Sequence, residues 1–103
     1  MNKGFFLAQI TQQGDNWQIS GMMTMPHIDA LLAESALLPW VKALKISLAD
    51  VQEVDTATIS LLFEWLRQAQ AHNSEIVFTD LPKNLISLAT LYDVLELIPQ
   101  AGH

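Results

Sequence analysis

Between Leu44 and His72 the spacing of apolar residues changes from two to about 3.6, and this change constrains the fold more than any other feature of the chain. Leu44, Ile46 and Leu48 alternate with Lys45 and Ser47, which predicts a strand with one apolar face. Asp50 to Val54 reads as the exit from the sheet. Asp55-Thr56 then opens a helix that runs to about His72 and stops at Asn73-Ser74. Its residues Ile59, Leu62, Phe63, Leu66 and Ala69 fall on one side at about 100° per residue. A half-buried strand feeding a long amphipathic helix is the building unit of an α/β domain.

The flanking segments extend this pattern. Phe5 to Ile10 is β-prone, Gln12 to Asn16 is a turn cluster, and Trp17 to Ser20 alternates as a second strand that Gly21 ends. Pro26 suits the first turn of a helix over Pro26–Ser35, with Ile28, Leu31 and Leu32 at helical spacing. Pro39 ends or bends anything helical after it. Ile76 to Phe78 is a fourth strand, and Leu81-Pro82 starts a helix with Leu85, Leu88, Ala89 and Tyr92 on a common face. Val94 to Ile98 suits a short helical turn, and Pro99 onward reads as a loose tail. The order is β-β-α-β-α-β-α in one domain over residues 1–103, with parallel pairing and right-handed crossovers after the opening hairpin.

Half of the residues are hydrophobic, enough for a core and against disorder. A formal net charge of −6 without a basic stripe argues against nucleic acid and against a bare anionic membrane surface. There is no cysteine, which removes disulfides, thiol nucleophiles and thiolate metal sites together. The apolar run near the start is too short for a signal peptide, and no stretch approaches the roughly 18 apolar residues of a membrane span. These features lead us to expect a soluble, cytoplasmic protein without direct membrane insertion.

Catalytic signatures are missing. There is no phosphate-binding glycine loop, dinucleotide fingerprint or nucleophile elbow. The histidines, His27, His72 and His103, match no metal spacing. No enzyme activity, metal or cofactor is therefore expected.

Attention falls on Val54-Asp55-Thr56-Ala57-Thr58-Ile59, where a strand-following loop meets a helix start. Ligands and partners of parallel α/β sheets gather at such points, near exposed N–H groups and the positive end of the helix dipole. A phosphate on Thr56 would be tolerated there. Asp55 or Thr56 equally serves as a plain N-cap. Beside the core stripe, Thr58, Leu61, Trp65, Gln68 and His72 share a second face. Large apolar Leu61 and Trp65 on it suggest either a docking surface or side chains tucked under a neighbouring element. Trp17 reads as one side of the hairpin, and Trp40 as a plug at the end of the core.

Asp55-Thr56-Ala57-Thr58-Ile59, in this order of elements, resembles the STAS domain family, typified by anti-sigma factor antagonists with a D-S-[ST]-G-[LI] run at this place. Leu85-Ile86-Ser87-Leu88-Ala89-Thr90-Leu91-Tyr92, followed by Pro99, is similar to the last helix of the MlaB branch, which favours Asp-Thr in the motif. The resemblance implies a small mixed sheet with helices packed mainly on one face. It also implies a cytoplasmic, non-catalytic subunit of the Mla phospholipid ABC transporter, peripheral to the inner membrane. Such a subunit binds an MlaF-like ATPase, in a complex with permease and substrate-binding subunits, and helps maintain outer-membrane lipid asymmetry. The resemblance maps the family's functional threonine to Thr56, with the start of the following helix as the contact region; together with the helix face described above, this makes Asp55, Thr56, Thr58, Leu61 and Trp65 the candidate partner-binding or regulatory residues. Three departures stand out: Thr58 replaces the family glycine, Ser47 replaces an aspartate of the preceding strand, and Met22 to Trp40 matches poorly. The alternative within the family is an anti-sigma factor antagonist regulated by phosphorylation at Thr56. A small ligand-binding module or enzyme is a third possibility.

Overall fold

Gly14 takes a left-handed φ of 57°, and with Asp15 it makes a two-residue turn between β1 (Gln9–Gln13) and β2 (Asn16–Met23). The computed structural model describes residues 8–101 and continues with α1 (Met25–Ser35), β3 (Ala43–Val54), α2 (Thr56–Ala71), β4 (Glu75–Thr79), α3 (Lys83–Leu91) and a short 3₁₀ turn, Leu95–Leu97. The strands lie in the order β1-β2-β3-β4. The first pair is antiparallel and the other two are parallel, with α1 and α2 as crossovers.

Strand alternation sorts the side chains by face. Trp17, Ile19, Leu44, Ile46, Leu48, Ile76 and Phe78 are all buried and join one core with residues of the three helices. Gln18, Lys45 and Glu75, at alternate positions, are exposed. Both crossovers step the same way across the sheet, so a common hand places their helices on one face, as expected from the sequence.

Five local expectations are corrected. The first strand lies at Gln9–Gln13, and Phe5 to Leu7 fall outside the described residues. Gln12 and Gln13 pair with Trp17 and Asn16 rather than forming a turn, since polar side chains are well solvated on an edge strand. Gly21 does not end β2: at φ 90° it sits beside a register shift, and the strand runs on to Met23. Asp50 to Val54 does not leave the sheet but pairs with Ser20–Met23. Two register shifts there leave extra residues on β3 and scramble its polar–apolar alternation, hiding the strand from a period-two reading. Finally, the tail is held: Phe78 N–H donates to the Pro99 carbonyl at 2.8 Å and Ala101 N–H to the Phe78 carbonyl at 3.0 Å.

The largest correction concerns α2. Leu61 and Trp65 are 1% and 0% exposed, and Thr58 is 0% exposed. The buried face of the helix is centred on Thr58, Leu61, Leu62, Trp65 and Ala69, while Phe63 and Leu66 are only half-buried. The cause is α1, which packs beside α2 and covers the flank left open by the sheet. Trp65 Nε1 donates to Ser35 Oγ of α1 at 3.0 Å, and that hydroxyl donates to the Leu32 carbonyl. Trp17 of β2 meets Trp65 edge-on at 5.8 Å and Trp40 at 5.2 Å, and Trp40 stacks on His72. Tyr92 caps α3 and is 55% exposed rather than sharing the face of Leu85 and Ala89.

Trp65→Ala is expected to cost about 3–5 kcal/mol, as cavity formation in a packed core requires. Leu37→Ala, at the most exposed large apolar side chain among the described residues (86%), should stay within about 0.5 kcal/mol. Urea unfolding of the two variants checks the assignment; equal midpoints would contradict it.

Candidate functional site

The site is built where β2 and β3 end and α1 and α2 begin. Asp55 is the N-cap of α2, and its Oδ1 accepts from the Ala57 N–H at 2.9 Å. Its Oδ2 accepts from the Met25 N–H, the first of α1, at 3.0 Å. One carboxylate thus caps two helices, which matters because Thr24, the N-cap of α1, gives no side-chain hydrogen bond. Thr58 completes a reciprocal capping box: its Oγ1 accepts from the Asp55 N–H at 3.0 Å and donates to the Met23 carbonyl at the end of β2.

These bonds give the motif residues distinct tasks. Asp55 and Thr58 face inward and hold the backbone. The glycine departure is thereby explained: Thr58 has ordinary helical geometry and spends its hydroxyl on a buried joint instead of enlarging the surface. Thr56 alone is exposed, and among the described residues its hydroxyl forms no hydrogen bond. It stands on the wall of an open cleft of about 420 Å³ between the first turns of α1 and α2, lined also by Met25, Ile28, Asp29, Ala57 and Ser60. Met25 is 71% exposed. The cleft therefore offers an apolar floor, two hydroxyls and one carboxylate.

The five residues singled out in the sequence divide accordingly. Asp55 and Thr56 belong to the cleft or its immediate support. Thr58 lies beneath it. Leu61 and Trp65 lie inside the monomer and offer nothing to a partner. Met25 and Ile28 were missed; Met25-Pro26 marked a helix start, but only the tertiary pairing of α1 with α2 brings that start beside Thr56. Ser47, at the aspartate departure, donates to Asp80 Oδ2 at 3.4 Å, so a carboxylate from the end of β4 borders this strand instead.

Electrostatics around α2 is otherwise quiet. The Arg67 guanidinium, hydrogen-bonded to Glu64 on the outer face, holds that carboxyl down to about 2. Among the described residues no three His, Asp or Glu side chains converge as a metal site, and no helix is long and apolar enough to cross a membrane.

A four-stranded mixed sheet, covered by helices and carrying an Asp-Thr pair at the start of its central helix, defines the STAS class of domain. The family model described as "Mlab, STAS domain" matches residues 6–99, and the chain belongs to that family. A search of curated proteins gave no match.

Division of labour within the motif can be measured. Asp55→Ala, which uncaps two helices, should destabilise by about 2 kcal/mol or more. Thr58→Val should lose about 1–3 kcal/mol by stranding the buried Met23 carbonyl and the half-buried Asp55 N–H. Thr56→Ala should change stability by no more than about 0.5 kcal/mol. Denaturant titration of the three variants provides the comparison, and a Thr56→Ala loss equal to that of Asp55→Ala would remove the distinction.

Proposed function

We propose that this chain is a non-catalytic, cytoplasmic subunit of an Mla-type phospholipid ABC transporter, docking on the ATPase subunit through the cleft between α1 and α2. The observation that carries the reading is the isolation of Thr56. It is the one exposed residue of the motif, at the rim of an apolar cleft, on a backbone fixed from below by Asp55 and Thr58. A rigid, partly apolar concavity with few charges suits a protein surface. The family description, "Mlab, STAS domain", agrees with the resemblance from which the partner class is taken. Binding there would favour the assembled, ATP-competent state of the ATPase by interacting more strongly with it than with the free subunit. In this reading the chain reaches the inner membrane only through its partner, and its contribution to outer-membrane lipid asymmetry is indirect.

The second reading is an anti-sigma factor antagonist phosphorylated at Thr56. The exposure of that hydroxyl to a modifying enzyme favours it. Intact mass of protein from its native cell separates the two: a phosphate on Thr56 supports the switch.

Co-expression with the candidate ATPase tests the transporter reading. Thr56→Glu and Met25→Asp should each abolish co-purification while leaving the thermal midpoint nearly unchanged, and Leu37→Asp should co-purify at the level of the unmodified chain. Retention of the ATPase by both cleft variants would overturn the docking surface. Trp65 variants are unsuitable for this purpose, because they act through the core.

A further inference from the structure

The chain has no cysteine, so its only sulfur open to oxidation is that of methionine. Three of the four methionines fall in one short run, Met22-Met23-Thr24-Met25, where β2 ends and α1 begins. Strand alternation and the helix start give these three side chains different surroundings. Met23 joins the core and is 0% exposed. Met22, its neighbour on β2, is half-buried. Met25, past the strand, is 71% exposed. A closely packed sulfur is slow to meet a dissolved oxidant, so the run holds one accessible thioether beside two shielded ones.

Place matters as much as exposure. Met25 lines the cleft that holds Thr56, and its backbone N–H donates to Asp55 Oδ2 at 3.0 Å. Its side chain therefore starts from a fixed point, set by the same carboxylate that caps α2. The other large apolar residue lining the cleft, Ile28, is half-buried, so Met25 supplies most of the apolar surface open to a partner. A thioether is apolar and adapts its shape to a neighbour, whereas a sulfoxide is polar and chiral. Conversion at Met25 turns the apolar floor of the cleft polar and leaves the core alone, since of the three residues only Met23 belongs to it.

We propose that Met25 is a reversible oxidation site that controls docking at the Thr56 cleft, an inference that rests on the docking reading above. The oxidant is a hydroperoxide. With hydrogen peroxide, the Met25 sulfur attacks one oxygen, the O–O bond breaks, and the sulfur gives up two electrons and keeps that oxygen. The second oxygen leaves as water. A dithiol reductase reverses the step, taking the oxygen off as water and ending as a disulfide. The reaction needs an undocked chain, because a seated partner covers the sulfur, so docking and oxidation oppose each other.

The test oxidises the isolated full-length chain partway with hydrogen peroxide, quenches it with catalase and passes it over the immobilised candidate ATPase. Peptide mapping should find the added oxygen at Met25 before Met22 or Met23, with the thermal midpoint nearly unchanged. Retained chains should carry the Met25 thioether, and the flow-through should be enriched in its sulfoxide. Treating the flow-through with methionine sulfoxide reductases for both epimers should restore retention. The preformed complex should oxidise at Met25 more slowly than the free chain. Equal Met25 sulfoxide in the two fractions, oxidation of Met22 ahead of Met25, or a flow-through that the reductases do not restore would each overturn the proposal while leaving the docking reading in place. Failure of the ATPase to retain the untreated chain, or its retention of Met25→Asp, would remove the docking reading and this inference with it.

Discussion

The double cap formed by Asp55 is the interaction on which the arrangement of the other elements depends. Its two oxygens reach the first turns of α1 and α2, across 30 residues of sequence. Thr58 then ties the start of α2 to the last carbonyl of β2. Two strand ends and two helix starts are therefore fixed to one another by two side chains. At the far side of the same α1–α2 contact, Trp65 is buried with its Nε1 on Ser35 of α1. Asp55 cannot be replaced by its amide at the same strength: a carboxylate accepts at both oxygens, and charge strengthens each bond.

Much of this was legible in the sequence, because the elements themselves are locally encoded. Period-two spacing at Leu44–Leu48 and helical spacing over Ile59–Ala69 needed no tertiary information. An N-cap at Asp55 or Thr56 was equally visible, but the return bond from Thr58 was not. What escaped had causes outside the local pattern. β3 continues through Asp50–Val54 because bulges absorb its extra residues, and a bulge erases the alternation that betrays a strand. Trp65 was left open between a docking surface and a tucked side chain because a helical projection shows directions but not neighbours, and the structure selects the second. The core of α2 spans the sheet and α1 together, a wider arc than a helix resting on a sheet alone requires.

Moving Trp65 and Leu61 into the core shifts the candidate interface from the side of α2 to its tip. A side-on contact would have offered large apolar area. The tip offers less: a half-buried Ile28, an exposed Met25 and the hydroxyls of Thr56 and Ser60. Affinity there has to come from shape and from hydrogen bonding at a fixed backbone, for which the caps beneath are well suited. The bonds that stabilise the domain thus also preorganise its surface.

The same geometry bears on a phosphate at Thr56. Taken alone, a helix start welcomes an anion, since it carries about half a positive charge. Two helix starts converge here, but the Asp55 carboxylate already accepts from both, so about one positive charge is matched by one negative charge. Asp29 adds another carboxylate to the lining. A phosphothreonine, with about −1.5 to −2 charges, would therefore enter a cleft whose favourable field is already spent. Its added charge would fall on the partner-facing rim, where it would repel an acidic partner surface and attract a basic one. Modification of Thr56 would act as a change of partner preference at the surface and leave the fold beneath it intact.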